Sequence, residues 1–218
     1  MSRLFAVGDI HGCYKHLRCM VKTIQFDPKD QIVFVGDYID RGPSSRNVVD
    51  FLLDFREQFP RSVFLRGNHE EMFEDYLQGS SKFGLGTYLW NGGRENLISY
   101  EVEPMETVEQ SNFPESHLSF LFNTKLMFQE GEFLFVHAGI RPGVPLEEQS
   151  REDLLWIRDE FFTCEHDMGL TIVFGHTPLR DVFQNLPFCI GIDTGAAYGG
   201  RLTCLELANG KVQNTYQV

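Results

Sequence analysis

Five short apolar runs in this 218-residue chain share one property: each ends directly in a polar cluster built on Gly, Asp or His. Leu4–Val7 leads into Gly8-Asp9-Ile10-His11-Gly12, and Ile32–Val35 into Gly36-Asp37-Tyr38-Ile39-Asp40-Arg41-Gly42. Val63–Leu65 leads, through Arg66, into Gly67-Asn68-His69-Glu70. Phe133–Val136 leads into His137-Ala138-Gly139, and Ile172–Phe174 into Gly175-His176-Thr177-Pro178. Runs this short, rich in Val, Ile and Phe and closed by Gly, are expected to be buried strands. Open α/β sheets bind ligands at the carboxyl ends of their strands. Five strands that deliver polar residues at one end therefore predict one shared site.

Helical patterns fill the early gaps. Tyr14, Leu17, Met20, Val21 and Ile24 recur at helical spacing. Val48, Val49, Leu52, Leu53 and Phe55 do the same after Ser44 or Ser45, either of which can cap the helix. A third helix is expected from near Glu70, with Met72, Phe73, Tyr76 and Leu77 on its apolar face. Residues 79 to about 114 show no sustained period and read as an inserted cap over the strand ends. Leu118–Phe122 reads as helix. Leu126–Phe128 and Glu132–Val136 read as a hairpin around Glu130-Gly131. Phe188–Ile192, Leu202–Leu207 and Val212–Tyr216 read as strands, the last two joined at Asn209-Gly210. No repeat or linker interrupts the chain, so a single domain over 1–218 is expected.

Composition removes several classes of function. With 19 Lys+Arg against 31 Asp+Glu, the net charge is −12, the wrong sign for releasing counterions from nucleic acid or docking on an anionic membrane. No apolar run approaches the roughly 18 residues of a spanning helix, and Leu4–Val7 is too short for a signal peptide. The five cysteines (Cys13, Cys19, Cys164, Cys189, Cys204) form no C-x-x-C pair and are expected to be buried or half-buried free thiols in the cytoplasm.

The residues at the strand ends carry the chemistry. Asp9 and His11 stand two apart, which on an extended segment points them the same way. Asp37, Asn68, His137 and His176 end the other four runs. Two carboxylates, three imidazoles and an amide oxygen make a mixed N/O set suited to Mn, Fe, Zn or a similar divalent ion. Six ligands are too many for one open catalytic metal; they suit two ions about 3.5–4 Å apart that share a carboxylate. Taken singly, each has a bland reading: a Gly-Asp turn, a hydrogen-bonded His, a turn Asn. His16, His117 and His166 lie outside the clusters and receive no role.

The ordered set G-D-I-H-G, G-D-Y-I-D-R-G, G-N-H-E, H-A-G and G-H-T resembles the signature of the phosphoprotein phosphatase metallophosphatases, across residues 8 to about 204. Trp90-Asn91-Gly92-Gly93, Trp156-Ile157-Arg158 and Asp193-Thr194-Gly195-Ala196 are similar to its small bacterial and phage members. The resemblance implies an α/β fold: a calcineurin-like metallophosphoesterase β-sandwich of two mixed sheets flanked by helices, with residues 79–115 inserted as a cap. It assigns Asp9, His11 and Asp37 to one metal, and Asp37, Asn68, His137 and His176 to the other. Two divalent ions are implied, manganese first, with Fe, Zn and Ni also permitted; they activate a water. His69 becomes the general acid, and Asp40 orients it. Arg41 and Arg158 clamp the phosphate with Asn68 and His69. Arg158 rests on W-x-R alone, and a surface ion pair to Glu160 or Asp159 is its lesser alternative. Tyr198 reads as a pocket residue or a turn aromatic, Asp193 as structural, and Arg66 as facing solvent.

The function implied is hydrolysis of phosphate monoesters, with phosphorylated Ser or Thr, or Tyr, on proteins and peptides as substrate and small phosphomonoesters as substitutes in vitro. The nearest rival is a symmetrical dinucleoside tetraphosphatase, whose motifs resemble G-D-x-V-A-R-G and G-N-H-D with an extra segment between H-A-G and G-H. Here Asp40 and Glu70 stand instead, and positions 138–175, only 38 residues, separate His137 from His176. Another phosphoesterase, or a non-catalytic module that binds phosphorylated partners, completes the alternatives. The last should have lost a ligand or the general acid, and neither is missing.

Overall fold

The computed structural model describes residues 2–79, 82, 83, 85–104, 108–162 and 165–218. The strands run β1 (Leu4–Val7), β2 (Gln31–Phe34), β3 (Ser62–Phe64), β4 (Met127–Glu130), β5 (Phe133–Val136), β6 (Thr171–Phe174), β7 (Phe183–Asn185), β8 (Cys189–Gly191), β9 (Thr203–Ala208) and β10 (Lys211–Gln217). They form two five-stranded mixed sheets, in the orders β10-β9-β1-β2-β3 and β4-β5-β6-β8-β7. Strands β1, β2 and β3 are mutually parallel, and so are β5, β6 and β8.

Strand alternation sorts the side chains into layers. Successive residues of a strand face opposite sides of its sheet. Ala6, Val33, Phe133, Phe135 and Val173 fall into one apolar cluster between the two sheets. Their neighbours Phe5, Val7, Ile32 and Phe34 join a second cluster beneath the helices, and Leu134, Val136, Ile172 and Phe174 a third on the far side. The five runs are therefore apolar throughout because both faces of each strand are covered. Helices α1 (Tyr14–Ile24) and α2 (Ser45–Gln58) pack on the first sheet through Leu17, Met20, Ile24, Val48, Val49, Leu52 and Phe55.

Several expectations need correction. Ser44 stands at the N-cap of α2 but makes no capping bond there, while the Ser45 hydroxyl accepts from the Asp40 N–H at 3.1 Å. Helix α3 (Asn68–Leu77), by contrast, begins near Glu70 as expected. Residues 79–114 are not devoid of regular structure: they hold α4 (Leu85–Tyr88), a π-helical turn (Leu89–Gly93), α5 (Arg94–Ser99) and a 3₁₀ turn (Gln110–Asn112). These pieces are too short for a visible period, and tertiary burial of Tyr88, Leu97, Tyr100 and Phe113 against Phe73 and Leu118 holds them. Strand β7, only Phe-Gln-Asn, has no pattern to read.

Helix α6 (Glu115–Phe122) and both hairpins follow the sequence reading. Asn209 and Gly210 take φ of 52° and 65°, as a tight type I′ hairpin turn requires. Helices α7 (Arg151–Trp156) and α8 (Asp159–Phe162) complete the far layer. Cys13, Cys19, Cys189 and Cys204 are free thiols, but Cys19 is exposed rather than buried or half-buried, on the open side of α1. Cys164 lies outside the described residues. Among the described residues no helix is long and apolar enough to cross a membrane.

Candidate active site

The parallel strands β1, β2 and β3 of one sheet and β5 and β6 of the other release their chains at a common edge. There the backbone turns sharply. Eight non-glycine residues among those described have positive φ, and five of them are His11, Asp37, Asp40, Arg41 and His176. A residue held in this region stores on the order of 1–3 kcal/mol, and such strain gathers at functional sites. His11, at φ 44°, is not extended, so Asp9 and His11 reach the site by a turn rather than by strand alternation. Close approach also demands glycine: a Cβ on Gly67 would lie 2.0 Å from Asp37 Oδ1.

Asp37 is the hub. Its Oδ2 lies 3.3 Å from His11 Nε2 and its Oδ1 3.4 Å from His137 Nε2. The opposite nitrogens of these rings, His11 Nδ1 and His137 Nδ1, each lie 2.9 Å from a backbone carbonyl, of Ile39 and Val35 respectively. A carbonyl only accepts, so Nδ1 carries the proton and Nε2 presents a lone pair to the carboxylate. Burial works against the Asp37 charge, but a proton on His137, His69 or His11 favours it, and the carboxyl sits well below the usual range. Burial also holds His137 below its ordinary value, against Asp37's pull. Lone pairs thus face an anion on two sides of one carboxylate, an arrangement that calls for a cation on each side. On the His11 side, a guanidinium nitrogen of Arg41 meets His11 Nε2.

The donor set fits two divalent ions on further grounds. Asp9 Oδ1 and His176 Nε2 are buried without a hydrogen-bond partner, a state that normally costs on the order of 1–3 kcal/mol apiece. Two groups of ligand atoms lie within 4.8 Å of one another: His11, Asp37 and His69, and Asp37, His137 and His176. Both contain Asp37. Asn68 joins the second group, its Oδ1 2.9 Å from His137 Nε2 and 3.0 Å from His176 Nδ1. Asp9 belongs to neither group. Its Oδ2 accepts the His176 N–H at 2.9 Å, and burial, with Asp193 and Asp37 nearby, pushes its carboxyl well up.

His69 and Asp40 form a buried pair, with Nδ1 2.6 Å from Oδ2. Burial pushes Asp40 up, with Glu70's charge adding to it, and burial pushes His69 down. At 2.6 Å a proton lies between Nδ1 and Oδ2, and His69 Nε2 faces the Asp37 carboxylate at 4.0 Å. Behind the pair runs a chain that sequence reading missed. The Tyr88 hydroxyl donates to Asp40 Oδ1 at 3.1 Å, and Asn96 Nδ2 donates to that hydroxyl at 2.9 Å. Both come from the 79–115 segment. No spacing rule links them to Asp40, and only the fold could reveal them.

Glu70 was read as a family marker, yet it ties two loops together. Its Oε2 accepts from the N–H of Asp37 at 3.0 Å and of Gly67 at 2.8 Å, and its Oε1 from the N–H of Tyr38 at 2.9 Å. Burial raises its carboxyl to about 7, with the Asp37 charge adding, against the pull of the three donors. The sequence signal was present in the three-residue offset from Gly67, half of a capping box.

The remaining candidates spread outward. Arg158 donates to Thr177 Oγ1 at 3.2 Å, beside His176, while Glu160 lies 3.7 Å from Arg141. Tyr198 is 61% exposed in a 3₁₀ turn, with the Arg41 guanidinium 5.2 Å above its ring. Arg66 does not face solvent: it is buried, paired with Glu74 and bonded to the Phe122 carbonyl at 3.3 Å. His117 is also buried, between Tyr100 and Asp50 at 2.9 and 3.0 Å, away from the site.

Known proteins resemble this chain in sequence and in fold. The chain is 34% identical over 212 residues to serine/threonine-protein phosphatase 1 of Salmonella typhimurium, covering 94% of this chain and 91% of that protein. It is 30% identical over 277 residues to the symmetrical bis(5'-nucleosyl)-tetraphosphatase of Methylococcus capsulatus, covering 94% and 91%. The solved cold-active protein-tyrosine phosphatase of a psychrophilic Shewanella superposes with a TM-score of 0.67 at 17% identity, over 100% of this chain and 80% of that one. Calcineurin-like phosphoesterases, as a family, work through a dinuclear divalent metal centre. The family's profile matches residues 2–211, and with the geometry above this makes the chain a member of the calcineurin-like phosphoesterases.

Proposed function

We propose that this protein is a phosphomonoester hydrolase that removes phosphate from phosphorylated Ser and Thr side chains of proteins, with Tyr as a further substrate. The observation that carries the reading is the Asp40–His69 pair at 2.6 Å. A carboxylate behind a catalytic imidazole fixes its orientation and proton, the arrangement a general acid requires. The 34% identity to a serine/threonine phosphatase supports the protein substrate.

In this reading Asp9, His11 and Asp37 hold one ion, and Asp37, Asn68, His137 and His176 hold the other, manganese being the first candidate. When bound, the two ions supply positive charge that acidifies water and offsets the charge of the phosphoryl group. His69 gives its Nε2 proton to the oxygen of the departing alcohol, while Asp40 holds the ring. Arg41 and Arg158 offer planar forks of donors to the phosphate oxygens. Glu70 keeps the Asp37 and Gly67 loops in register. The whole chain, 1–218, acts as one domain, with 79–115 as the cap beside the site. Free thiols at the four described cysteines fit work in a reducing cytoplasm.

A second reading, a dinucleoside tetraphosphatase, is favoured by the 30% identity to such an enzyme. Rates for phosphoserine, phosphothreonine and phosphotyrosine peptides and diadenosine tetraphosphate, at one metal loading, separate the two. The proposal expects the phosphopeptides to be turned over faster, and His69→Asn to slow them about 10²–10⁴-fold. Exclusive turnover of the dinucleotide would overturn it.

A further inference from the structure

Beside the site lies a cleft of about 490 Å³, lined by Arg41, Trp90, Arg94, Glu95 and Tyr198 among others. Trp90 is 89% exposed and Tyr198 61%. Large aromatic rings left this open on a hydrogen-bonded support are unusual, and they mark surfaces that gain by being covered.

Hydrogen bonds tie the support down. Asn91 Nδ2 donates to the Thr87 carbonyl at 2.8 Å, and the Arg41 N–H donates to the Gly92 carbonyl at 3.0 Å. Gly92 has φ +98°, and a Cβ there would lie 2.6 Å from the Arg41 backbone nitrogen. The turn that carries Trp90 is thus strapped against the backbone of Arg41. On the other wall, the Arg41 guanidinium sits over the Tyr198 ring. The same guanidinium reaches His11 Nε2. Arg41 therefore links the ligand cluster to the cleft, and a phosphoryl group held by Arg41 leaves its organic part beside Trp90 and Tyr198.

We propose that this cleft is a leaving-group subsite selective for phosphoesters whose organic part carries a planar ring. The inference rests on the phosphoesterase reading above and names the esters, beyond those of Ser and Thr, that gain an added contact beside that site. A flat ring gains stacking surface from Trp90 and Tyr198, whereas a serine side chain is too short to use either. Two sources supply such a ring, an aryl phosphate such as phosphotyrosine or the base of a nucleotide, and both present the same face to the cleft.

The test uses the full-length, metal-loaded protein and its Trp90→Ala and Trp90→Phe variants. Calorimetric titration with phenylphosphonate and with methylphosphonate requires no turnover. Wild type should bind the phenyl compound more tightly. The preference should fall about three- to tenfold in W90A, the range of one aromatic pair, and survive in W90F. Equal affinity for the two phosphonates in wild type, or an unchanged preference in W90A, would overturn the proposal. The second arm measures kcat/KM for phosphotyrosine and phosphoserine forms of one peptide and for diadenosine tetraphosphate. A fall in the phosphotyrosine-to-phosphoserine ratio in W90A assigns the cleft to an aryl ring. A fall in the dinucleotide-to-phosphoserine ratio assigns it to a base, and a fall in neither contradicts it. Should no ester be hydrolysed at all, the phosphatase reading fails, while the phosphonate titration still decides the cleft.

Discussion

Replacing Glu70 with Gln removes a charge and one acceptor from a buried carboxylate that serves three backbone donors. The amide has a single oxygen. Placed at the Oε2 position, it keeps the Asp37 and Gly67 bonds and turns an NH₂ toward the Tyr38 N–H. Placed the other way, it strands two donors instead of one. Each stranded buried donor costs about 1–3 kcal/mol, and the bonds that remain lose their ionic acceptor, so the total is roughly 2–4 kcal/mol. In a chain of this size 1 kcal/mol lowers Tm by about 2–4 °C, so the variant should melt about 5–15 °C below wild type in chelator. The loosened loops carry Asp37 and Asn68, and metal content after dialysis should fall with Tm. The assay is thermal unfolding with EDTA, paired with elemental analysis of the metal-loaded protein. A Tm within about 2 °C of wild type, with full metal content, would refute the strut.

Tyr88→Phe removes the donor to Asp40 and leaves Asn96 without its acceptor. One lost hydrogen bond predicts a kcat reduced about two- to tenfold with metal content unchanged, and an unchanged kcat would show the chain to be idle. Asp30 gives the pH dependence. Burial opposes its charge, but bonds from Arg3 and from the Asp27 N–H outweigh that and hold its carboxyl below the ordinary range. A depressed folded value means stability present above about pH 3.9 and lost as pH falls through the folded value. Asp30→Asn should therefore flatten the acid limb of a stability profile measured between about pH 5 and 2, and an identical limb would remove Asp30 from the account.

Strands β1, β2, β5 and β6 were legible because both faces of each are buried, which leaves unbroken apolar runs closed by Gly or His; β3, half-buried at the sheet edge, was legible from the run Val63–Leu65 that ends in Arg66-Gly67. The side chains gathered at the edge were legible for the same reason, since each follows such a run. Their geometry was not. Extended alternation predicts the wrong route for His11, which turns at positive φ, and nothing local shows that Asp9 bonds the His176 N–H 167 residues away. Arg66 follows a strand as a surface residue does, yet it is buried against Glu74 and Phe122, partners supplied by α3 and α6. The segment holding Tyr88 and Asn96 looked featureless because Gly92, at φ 98°, breaks its helical turns before a period can build.

The central claim is a metal-dependent phosphoesterase built around Asp37. Its most direct test is titration of metal-free protein with Mn²⁺ while turnover of a phosphoserine peptide is followed in the same samples. The account predicts that activity rises as two equivalents bind, that EDTA abolishes it, and that Asp37→Ala lowers both binding and turnover. Fully loaded protein with no phosphoesterase activity, or activity indifferent to metal, would contradict it.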